Sequence, residues 1–310
     1  MATTNVVLQP GTTPEAPPAV DFEITKEVGF YQLVWRRFRK RKMALAAITA
    51  LAILALACAI GPMLLPAEHV DPTHASLGPF QQGHILGTDD IGRDLLVRNL
   101  SGGRISLAVG GLAMALTIFI ATLLGAASGF FGGLLDTVVS ALTNALLSIP
   151  SVLILVIFAK AFGQSIQTIV IGIALLAWPY TSRIVRAVIL SVREKEFVEA
   201  AKALGTPRWR IMVRHLIPNA LGPIVVAASL TIGAAILLES ALSFLGVGIG
   251  QPTATWGSLL NQGYEELNNP GLTGFFFSLW PGLLILITVL SFNYIGDALR
   301  DAFDPRSLER

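Results

Sequence analysis

Long apolar runs separated by shorter polar segments dominate the chain. Six runs are candidates for membrane spans: 43–65, 105–131, 137–162, 166–180, 221–245 and 275–294. A helix needs about 20 apolar residues to cross a bilayer core of about 30 Å. Five runs reach that length, and the fourth reaches it only if its helix continues through Pro179 toward Arg183. Because lipid cannot hydrogen-bond an open backbone, the pattern predicts an all-α polytopic membrane protein with six transmembrane helices.

The composition agrees with a membrane location. The chain is 53% hydrophobic and 14% charged, whereas an ordinary soluble domain carries roughly 25% charged residues. Cys58 is the only cysteine and lies in the first apolar run, which excludes a disulfide framework within the chain. Residues 1–29 are rich in Thr, Pro and Ala and are predicted to form a disordered tail on the cytoplasmic side.

The basic residues predict the orientation of the spans. Of the 22 Lys and Arg residues, six lie within 36–42, eight within 183–214 and three within 297–310. The positive-inside rule assigns all three regions to the cytoplasm. Six spans then put both termini inside and leave 66–104 and 247–274 outside. The first outer segment still carries three arginines, so 91–104 is predicted to lie along the membrane surface.

Residues 30–42 predict a short amphipathic helix ahead of the first span. Phe30, Leu33, Val34 and Phe38 recur at roughly helical spacing among basic residues. Such a helix can lie in the membrane interface with its cations toward lipid phosphates. We interpret it as an elbow helix. The basic residues alone would also serve as a plain topology signal, and the two interpretations are compatible.

The segment 193–219 is too polar to cross the membrane and predicts two short helices. Residues 194–204 are mostly good helix formers, and Gly205 is the expected stop because glycine tolerates a left-handed conformation. The apolar residues of this helix have the spacing of one buried face. They are Phe197, Ala200, Ala201 and Leu204.

The second helix of this segment is predicted over 208–214. Thr206 is the expected N-cap, Pro207 the first helical residue, and Pro218 the end of the helix. A compact pair of helices between two spans suits a docking element that transmits motion to the membrane. A loop folded against its own helical bundle explains the same pattern equally well.

Parts of this segment resemble the EAA loop of ABC importer permeases. The matching residues are Glu199, Ala200, Ala201, Gly205 and the ending His215-Leu216-Ile217-Pro218-Asn219. Residues 86–94 and 292–301 resemble two signatures of the "C"-type permeases of dipeptide, oligopeptide and nickel importers, and Glu239 and Trp256 also match. These motifs occur in the family's order, and the resemblance covers about 30–306.

The resemblance implies a permease subunit that carries peptides across the cytoplasmic (inner) membrane. In that family the EAA loop sits in a cleft of a cytoplasmic ATPase. It therefore implies ATPase-coupling roles for Glu199, Ala200, Ala201, Gly205, Arg208, Trp209, His215 and Pro218. It also implies a second homologous permease, two cytoplasmic ATPase subunits that bind ATP and Mg, and an extracytoplasmic substrate-binding protein. The chain itself is expected to have no ATPase site, cofactor, metal or nucleic-acid partner.

The resemblance also suggests how the chain is organised. The expected parts are a tail 1–29, an elbow helix 30–42, a first span with an outer segment 43–104, a permease domain 105–296 with the coupling loop 193–219, and a tail 297–310. Ala141 and Asn144 depart from the family, which often has Arg and Asp there. These positions are three residues apart and share a helix face. Both members of the family's charged pair are therefore absent together, and no single charge is left without its partner.

Two further places are candidates for function. Glu239 lies late in the fifth run, where a carboxylate costs about 2.5–3.5 kcal/mol at mid-membrane. It is predicted to line the translocation path or hold a gate, or else to reach water near the outer interface. The Gly-rich segment 247–274 is predicted to dock the binding protein through an exposed Trp256 and the acidic pair Glu265 and Glu266, or else to anchor Trp256 at the interface.

Two other patterns are discounted. Gly87-x4-Gly92-Arg93-Asp94 mimics a phosphate-binding loop but lacks the Lys and Ser/Thr that bind phosphate and magnesium. An external metal site would draw on acidic and histidine residues whose spacing fits no strict ligand pattern. These residues are Glu68, His69, Asp71, His74 and His84.

Other classes of function stay open at this point. A nickel or other small-solute permease of the same family is the nearest alternative. A secondary transporter would need ionisable residues within the spans, where only Glu239 clearly qualifies. A membrane enzyme would need paired His, Asp or Glu residues or an activated nucleophile, and the predicted spans do not suggest one.

Overall fold

The computed structural model describes residues 30–65, 70–250, 252–268 and 273–304. The predicted tail 1–29 lies outside these residues. The described part consists of α-helices joined mostly by short turns, with a longer connection at 70–94, and contains no β-strand. The helices are α1 Phe30–Phe38, α2 Lys42–Leu64, α3 Leu95–Phe131, α4 Gly133–Leu147, α5 Ser151–Phe162, α6 Ile166–Val192, α7 Glu196–Ala203, α8 Arg208–Ile211, α9 Ile217–Asn219, α10 Leu221–Phe244, α11 Trp256–Glu265 and α12 Thr273–Phe303.

Five helices in the described part are long and apolar enough to cross a membrane: α2, α3, α6, α10 and α12. The fourth apolar run forms a full span because α6 continues through Pro179 as far as Val192. The sixth span, α12, also exceeds its predicted run. It ends at Phe303, so the first residues of the predicted tail 297–310 are helical.

The third apolar run does not form one straight helix, contrary to the prediction. It divides into α4 and α5, which are bent by 89° at the break between them. Pro150 is the N-cap of α5, and a proline both removes a backbone donor and disfavours helical geometry in the residue before it. The described chain therefore has five spans, or six if the bent pair counts as one.

The second span begins earlier than its apolar run indicates. The Asp94 side chain accepts hydrogen bonds from the backbone N–H groups of Leu96 and Val97, and this N-cap starts α3 at Leu95. The expectation that 91–104 lies along the membrane surface is therefore wrong for 95–104, which is the first part of a continuous 37-residue helix. At about 1.5 Å per residue this helix is longer than a bilayer core is thick.

Close approach of α3 and α6 organises the half of the bundle that contains the C-terminal ends of both helices. A Cβ atom at Gly125 would lie 2.6 Å from the Ser182 carbonyl oxygen, and one at Gly129 would lie 3.0 Å from that of Arg186. Small residues four apart let two membrane helices approach backbone to backbone. The last turns of α3 and α6 consequently form one rigid surface.

The elbow helix is present as α1 and packs on the end of the last span. Val34 and Phe38 are buried together with Ala298 and Ala302 of α12. The Arg41 guanidinium lies 2.7 Å from the Asp301 carboxylate. The two ends of the described chain are therefore joined on one side of the bundle.

Candidate functional site

The segment 193–219 folds as a compact unit, which we call the knuckle. Its first helix, α7, ends in a complete Schellman motif around Gly205, whose φ is +72°. The Gly205 N–H donates to the Lys202 carbonyl, and the Thr206 N–H donates to the Ala201 carbonyl. The predicted glycine stop is confirmed.

The start of the second helix differs from the prediction. Thr206 is engaged at the end of α7, so Pro207 takes the N-cap position of α8 and Arg208 is the first helical residue. Thr206 is therefore not an N-cap, and Pro207 is not inside the helix. Both assignments move by one residue because the Schellman motif uses the backbone of Thr206.

Pro218 does not end the second helix, contrary to the prediction. After α8 the backbone widens into a π-helical turn over Met212–Leu216 and continues through Pro218 to Asn219. Pro218 has no N–H to offer the preceding turn. The Asn219 side-chain amide donates to the His215 carbonyl at 2.6 Å and so adds a bond across this last turn. The helical path is thus unbroken up to α10.

The buried face of α7 is not the predicted one. Val198 and Ala201 point inward, where they pack with Ile211 and Leu216 of the knuckle. Phe197, Ala200 and Leu204 are exposed instead, and only Ala201 of the predicted set is buried. Helix α7 has apolar residues on two faces, and the packing of α8 decides which of them is inward.

The knuckle is rooted in three membrane helices. Its buried residues share one apolar cluster with the ends of α3, α6 and α10 that lie next to it. The members from those helices are Ala126, Val185, Ile189, Val192 and Ile224. The Arg193 guanidinium also donates to the Gly129 carbonyl at 2.9 Å, which joins the end of α6 to the end of α3.

The outer side of the knuckle is apolar as well. Leu204 is 85% exposed and Trp209 is 59% exposed, and Phe197 and Val213 of the same segment are exposed as well. The Arg210 guanidinium carbon lies 5.6 Å from the Trp209 ring centroid, a cation–π contact. An exposed apolar patch of this kind is typical of an interaction surface.

Most predicted coupling residues lie on this outer side. Glu199, Ala200, Gly205, Arg208, Trp209 and Pro218 are exposed, His215 is half-buried, and Ala201 is buried. Ala201 is therefore not accessible to a partner, and the coupling role of the other residues stays a prediction.

Glu239 lies in a closed polar cluster near the C-terminal end of α10. It is fully buried, so the expectation that it reaches water is wrong. Ser243 donates to Oε1 at 2.7 Å and Ser106 donates to Oε2 at 3.1 Å. The side chain of Thr255 is a further hydrogen-bond partner. No Lys, Arg or His of the described residues forms an ion pair with Glu239, which is held by hydroxyl groups from α3, α10 and the cap of α11.

Trp256 is fully buried, contrary to the expectation of an exposed aromatic. Its backbone N–H donates to Ser106 Oγ at 3.2 Å, and its indole Nε1 donates to the Asn99 carbonyl at 3.0 Å. A Cβ atom at Gly103 would lie 2.7 Å from the indole ring. The glycine therefore makes the space that the tryptophan fills. Trp256 stabilises the bundle and is not accessible to a partner.

The acidic pair lies at the end of α11. Glu265 is exposed and Glu266 is half-buried. Both lie beyond the capping box of Thr255 and Ser258 that starts this helix. Their predicted role in docking a binding protein stays a prediction.

The outer segment 70–94 is a folded cap on α3. The buried Asp89 carboxylate accepts hydrogen bonds from the side chains of Arg93 and Arg98, both at 2.6 Å. It also accepts from the backbone N–H groups of Ile91 and Arg93. The loop that mimics a phosphate-binding motif is therefore organised around its own carboxylate.

The histidines of this cap each pair with a carboxylate. His74 contacts Asp71 and His84 contacts Asp94, both at 2.7 Å. Hydrogen bonds from Thr73 and His74 hold the pKa of Asp71 at about 2. No group of three potential metal ligands occurs within the described ranges. Glu68 and His69, the other discounted candidates, lie outside those ranges.

Sequence reasoning missed a polar cluster between α4 and α6. Asp136 and Arg186 form a bidentate ion pair at 2.6 and 2.7 Å, and Arg183 donates to the Asn144 side-chain oxygen at 2.6 Å. The signal was available, because Arg183 and Arg186 belong to a membrane helix. The positive-inside rule uses both arginines to predict topology and gives no information about their side-chain partners.

Comparison with known proteins identifies the class of this chain. Residues 118–309 match the family model of the binding-protein-dependent transport system inner membrane component. Residues 29–79 match the N-terminal transmembrane domain of oligopeptide transport permease C. The chain belongs to this family of inner-membrane permeases, which confirms the resemblance. It is a multi-pass membrane subunit of an ABC importer, a transporter component rather than a catalytic one.

Named relatives cover most of the chain. The oligopeptide transport system permease protein OppC of Haemophilus influenzae is 41% identical over 275 residues, 87% of each chain. The dipeptide transport system permease protein DppC of Alkalihalophilus pseudofirmus is 36% identical over 295 residues, 94% of this chain and 95% of that one. OppC of Escherichia coli K12 is 40% identical over 275 residues, 87% and 89% of the two chains.

A solved structure shares the fold. An inward-facing conformation of the MetNI methionine ABC transporter superimposes with a TM-score of 0.55 at 24% identity. The match covers 68% of this chain and 97% of the transporter chain. At this level of identity the likeness concerns the arrangement of helices alone.

Proposed function

We propose that this chain is one of two homologous permease subunits of an ATP-driven peptide importer, with both of its termini in the cytoplasm. The relatives described above are named for oligopeptide and dipeptide transport, which favours peptides over nickel chelates. Two cytoplasmic ATPases bind ATP and Mg and supply the energy. A binding protein delivers the peptide to the outer face, with Glu265 and Glu266 as candidate contacts.

The two faces of the knuckle carry the coupling role. The inner face, with Val198, Ile211 and Leu216 fully buried, is packed onto the membrane helices. The outer face presents Leu204 and Trp209 to the cytoplasm. A loop that served only its own bundle would have no reason to leave a second apolar face uncovered, because exposed apolar area is unfavourable in water.

This arrangement transmits motion to the spans. A force on the outer face acts on a unit that is packed like a protein core, and such units move rigidly. Helices α6 and α10 enter and leave the knuckle, so they move with it. Closure of the ATPases on bound ATP would thereby swing the spans from inward-facing to outward-facing, and hydrolysis would reset them.

The experiment is ATP-dependent uptake of radiolabelled tri-alanine by proteoliposomes that contain the whole assembly. We expect uptake only when both permeases, the ATPases and the binding protein are present. Uptake that persists without the ATPases would favour a secondary transporter. No uptake of any peptide by a complete, ATP-hydrolysing assembly would contradict a peptide substrate.

The orientation is tested separately with a cysteine tag. In a Cys58→Ser background, Trp209→Cys is expected to react in intact cells only with a membrane-permeant thiol reagent. Cys58 is the only cysteine of the chain, so its replacement leaves the tag as the only thiol that this subunit offers to the reagent. Reaction of the tag with an impermeant reagent would put the knuckle outside the cell, where no ATPase can reach it.

A further inference from the structure

A polar cavity of about 410 Å³ lies between α3, α4 and α6. Asn144, Arg183 and Arg186 line it together with the hydroxyl groups of Ser128, Ser140 and Thr143. Arg183 and Arg186 belong to the second half of α6, so the cavity lies in the half of the bundle next to the knuckle. Its volume is within the range of about 300–1,000 Å³ typical of small-molecule sites.

The two guanidinium groups of the cavity are in different electrostatic states. Arg186 is neutralised by a bidentate pair with Asp136. Arg183 donates at 2.6 Å to Asn144, a neutral amide. No carboxylate of the described residues forms an ion pair with Arg183. Arg183 is exposed, so the open cavity presents one cation that has no carboxylate partner among the described residues.

The nearby hydroxyl groups do not compensate this charge. Ser128 donates to the Gly125 carbonyl at 3.2 Å, and Ser182 donates to the Pro179 carbonyl at 2.9 Å. Both bonds stay within their own helices. A guanidinium has five N–H donors in a planar fork that matches a carboxylate or a phosphate. The bond to Asn144 uses one of them and leaves the fork available to a ligand.

We propose that Arg183 binds the carboxylate of the transported solute in this cavity, as a station on the path to the cytoplasm. The proposal rests on the proposed peptide import, because every unmodified peptide ends in a carboxylate. Asn144 orients the guanidinium without neutralising it. The Asp136–Arg186 pair closes the neighbouring site, so the ligand is directed to Arg183.

The test measures binding by the purified assembly in phosphatidylcholine nanodiscs, without the binding protein. The probes are tri-alanine and its C-terminal amide. We expect wild type to bind the acid about tenfold more tightly than the amide, because a charge-assisted hydrogen bond is lost in the amide. Arg183→Gln should remove this preference, and Arg183→Lys should retain part of it.

Asn144→Asp supplies a second, independent test. The new carboxylate occupies the Arg183 fork from within the protein, so the preference for the acid should fall although the guanidinium is still present. This variant keeps the volume of Asn144, which protects the fold if Arg183→Gln fails to assemble. Arg39→Gln, which removes an exposed cation next to α1, is the matched control and should leave the preference unchanged.

The remaining outcomes separate the possible sources of the anion. If phosphatidylglycerol in the nanodiscs displaces tri-alanine and wild type binds acid and amide equally, the site takes a lipid headgroup and the proposal is wrong. An acid preference that survives both Arg183→Gln and Asn144→Asp overturns it too. Failure of peptide import itself shows as the absence of wild-type tri-alanine uptake into proteoliposomes, which is a different result.

Discussion

The knuckle and the helix α11 lie at opposite ends of the bundle, and each contains one tryptophan. The two tryptophans have similar sequence surroundings, since each begins or nearly begins a short helix between two membrane spans. Trp209 is 59% exposed on the outer face of the knuckle, whereas Trp256 is fully buried between membrane helices. Gly103 and Gly257 explain the difference. A Cβ atom at Gly257 would lie 2.4 Å from the Ser240 carbonyl oxygen, so α11 sinks into the bundle where α8 stays on its surface.

This contrast separates stability from partner binding. Trp256 fills space inside the bundle and donates a hydrogen bond to the Asn99 carbonyl of α3. Its contribution is therefore to the stability of the chain. Trp209 contributes little to the folded chain, so its exposed area is available to another protein. The two tryptophans can therefore be exchanged for alanine to test the division of roles.

The largest effect is expected for Trp256→Ala. The substitution leaves a cavity and the Asn99 carbonyl without its indole partner, and it should lower the free energy of unfolding by about 3–5 kcal/mol. Thermal unfolding of the purified assembly in detergent measures the loss. Trp209→Ala is the matched control. Equal melting temperatures for the two variants would contradict the contrast.

Trp209→Ala should act on the partner instead. Central aromatic anchors of an interface contribute about 2 kcal/mol or more, so we expect roughly 30-fold weaker binding of the ATPases. The unfolding free energy should change by less than about 0.5 kcal/mol, as for other surface changes. Titration of the permease with purified ATPase provides the measurement. If the ATPases bind this variant as tightly as wild type, Trp209 is not part of the coupling surface.

Glu239 is the next test, since its cluster joins α11 to α3 and α10. Glu239→Ala leaves the hydroxyl groups of Ser106 and Ser243 without an acceptor, which should cost about 1–3 kcal/mol. Glu239→Gln keeps an acceptor oxygen and should cost less. A Gln variant as unstable as the Ala variant would show that one acceptor oxygen is not sufficient for the cluster. The comparison uses unfolding together with tri-alanine uptake.

The smallest effect is expected for Gly205→Ala. The left-handed φ of +72° at this position costs a residue with a Cβ atom about 1–2 kcal/mol. We expect a modest loss of stability and a larger loss of peptide uptake per ATP hydrolysed, because the angle between α7 and α8 changes. Lys202→Ala, an exposed change in the same helix, is the control. Unaltered coupling would limit Gly205 to a structural role.

The sequence alone predicted much of the fold, because membrane spans depend on local composition. Runs of apolar residues predicted the five long helices, and the helix-glycine-helix pattern predicted the knuckle. The extension of α6 through Pro179 followed from the length that a bilayer requires. The resemblance of its motifs identified the family. Each of these inferences depends on residues that are neighbours in the chain.

The tertiary structure decided which faces are inward. Val198 is buried rather than Phe197 because Ile211 and Leu216 pack on that side. Trp256 is buried because Gly103, more than 150 positions earlier, leaves room for its ring. The pairing of Arg183 with Asn144 likewise depends on two helices that are distant in the sequence. Hydrophobic periodicity marks apolar positions along one element, but contacts between elements that are far apart in sequence select among them.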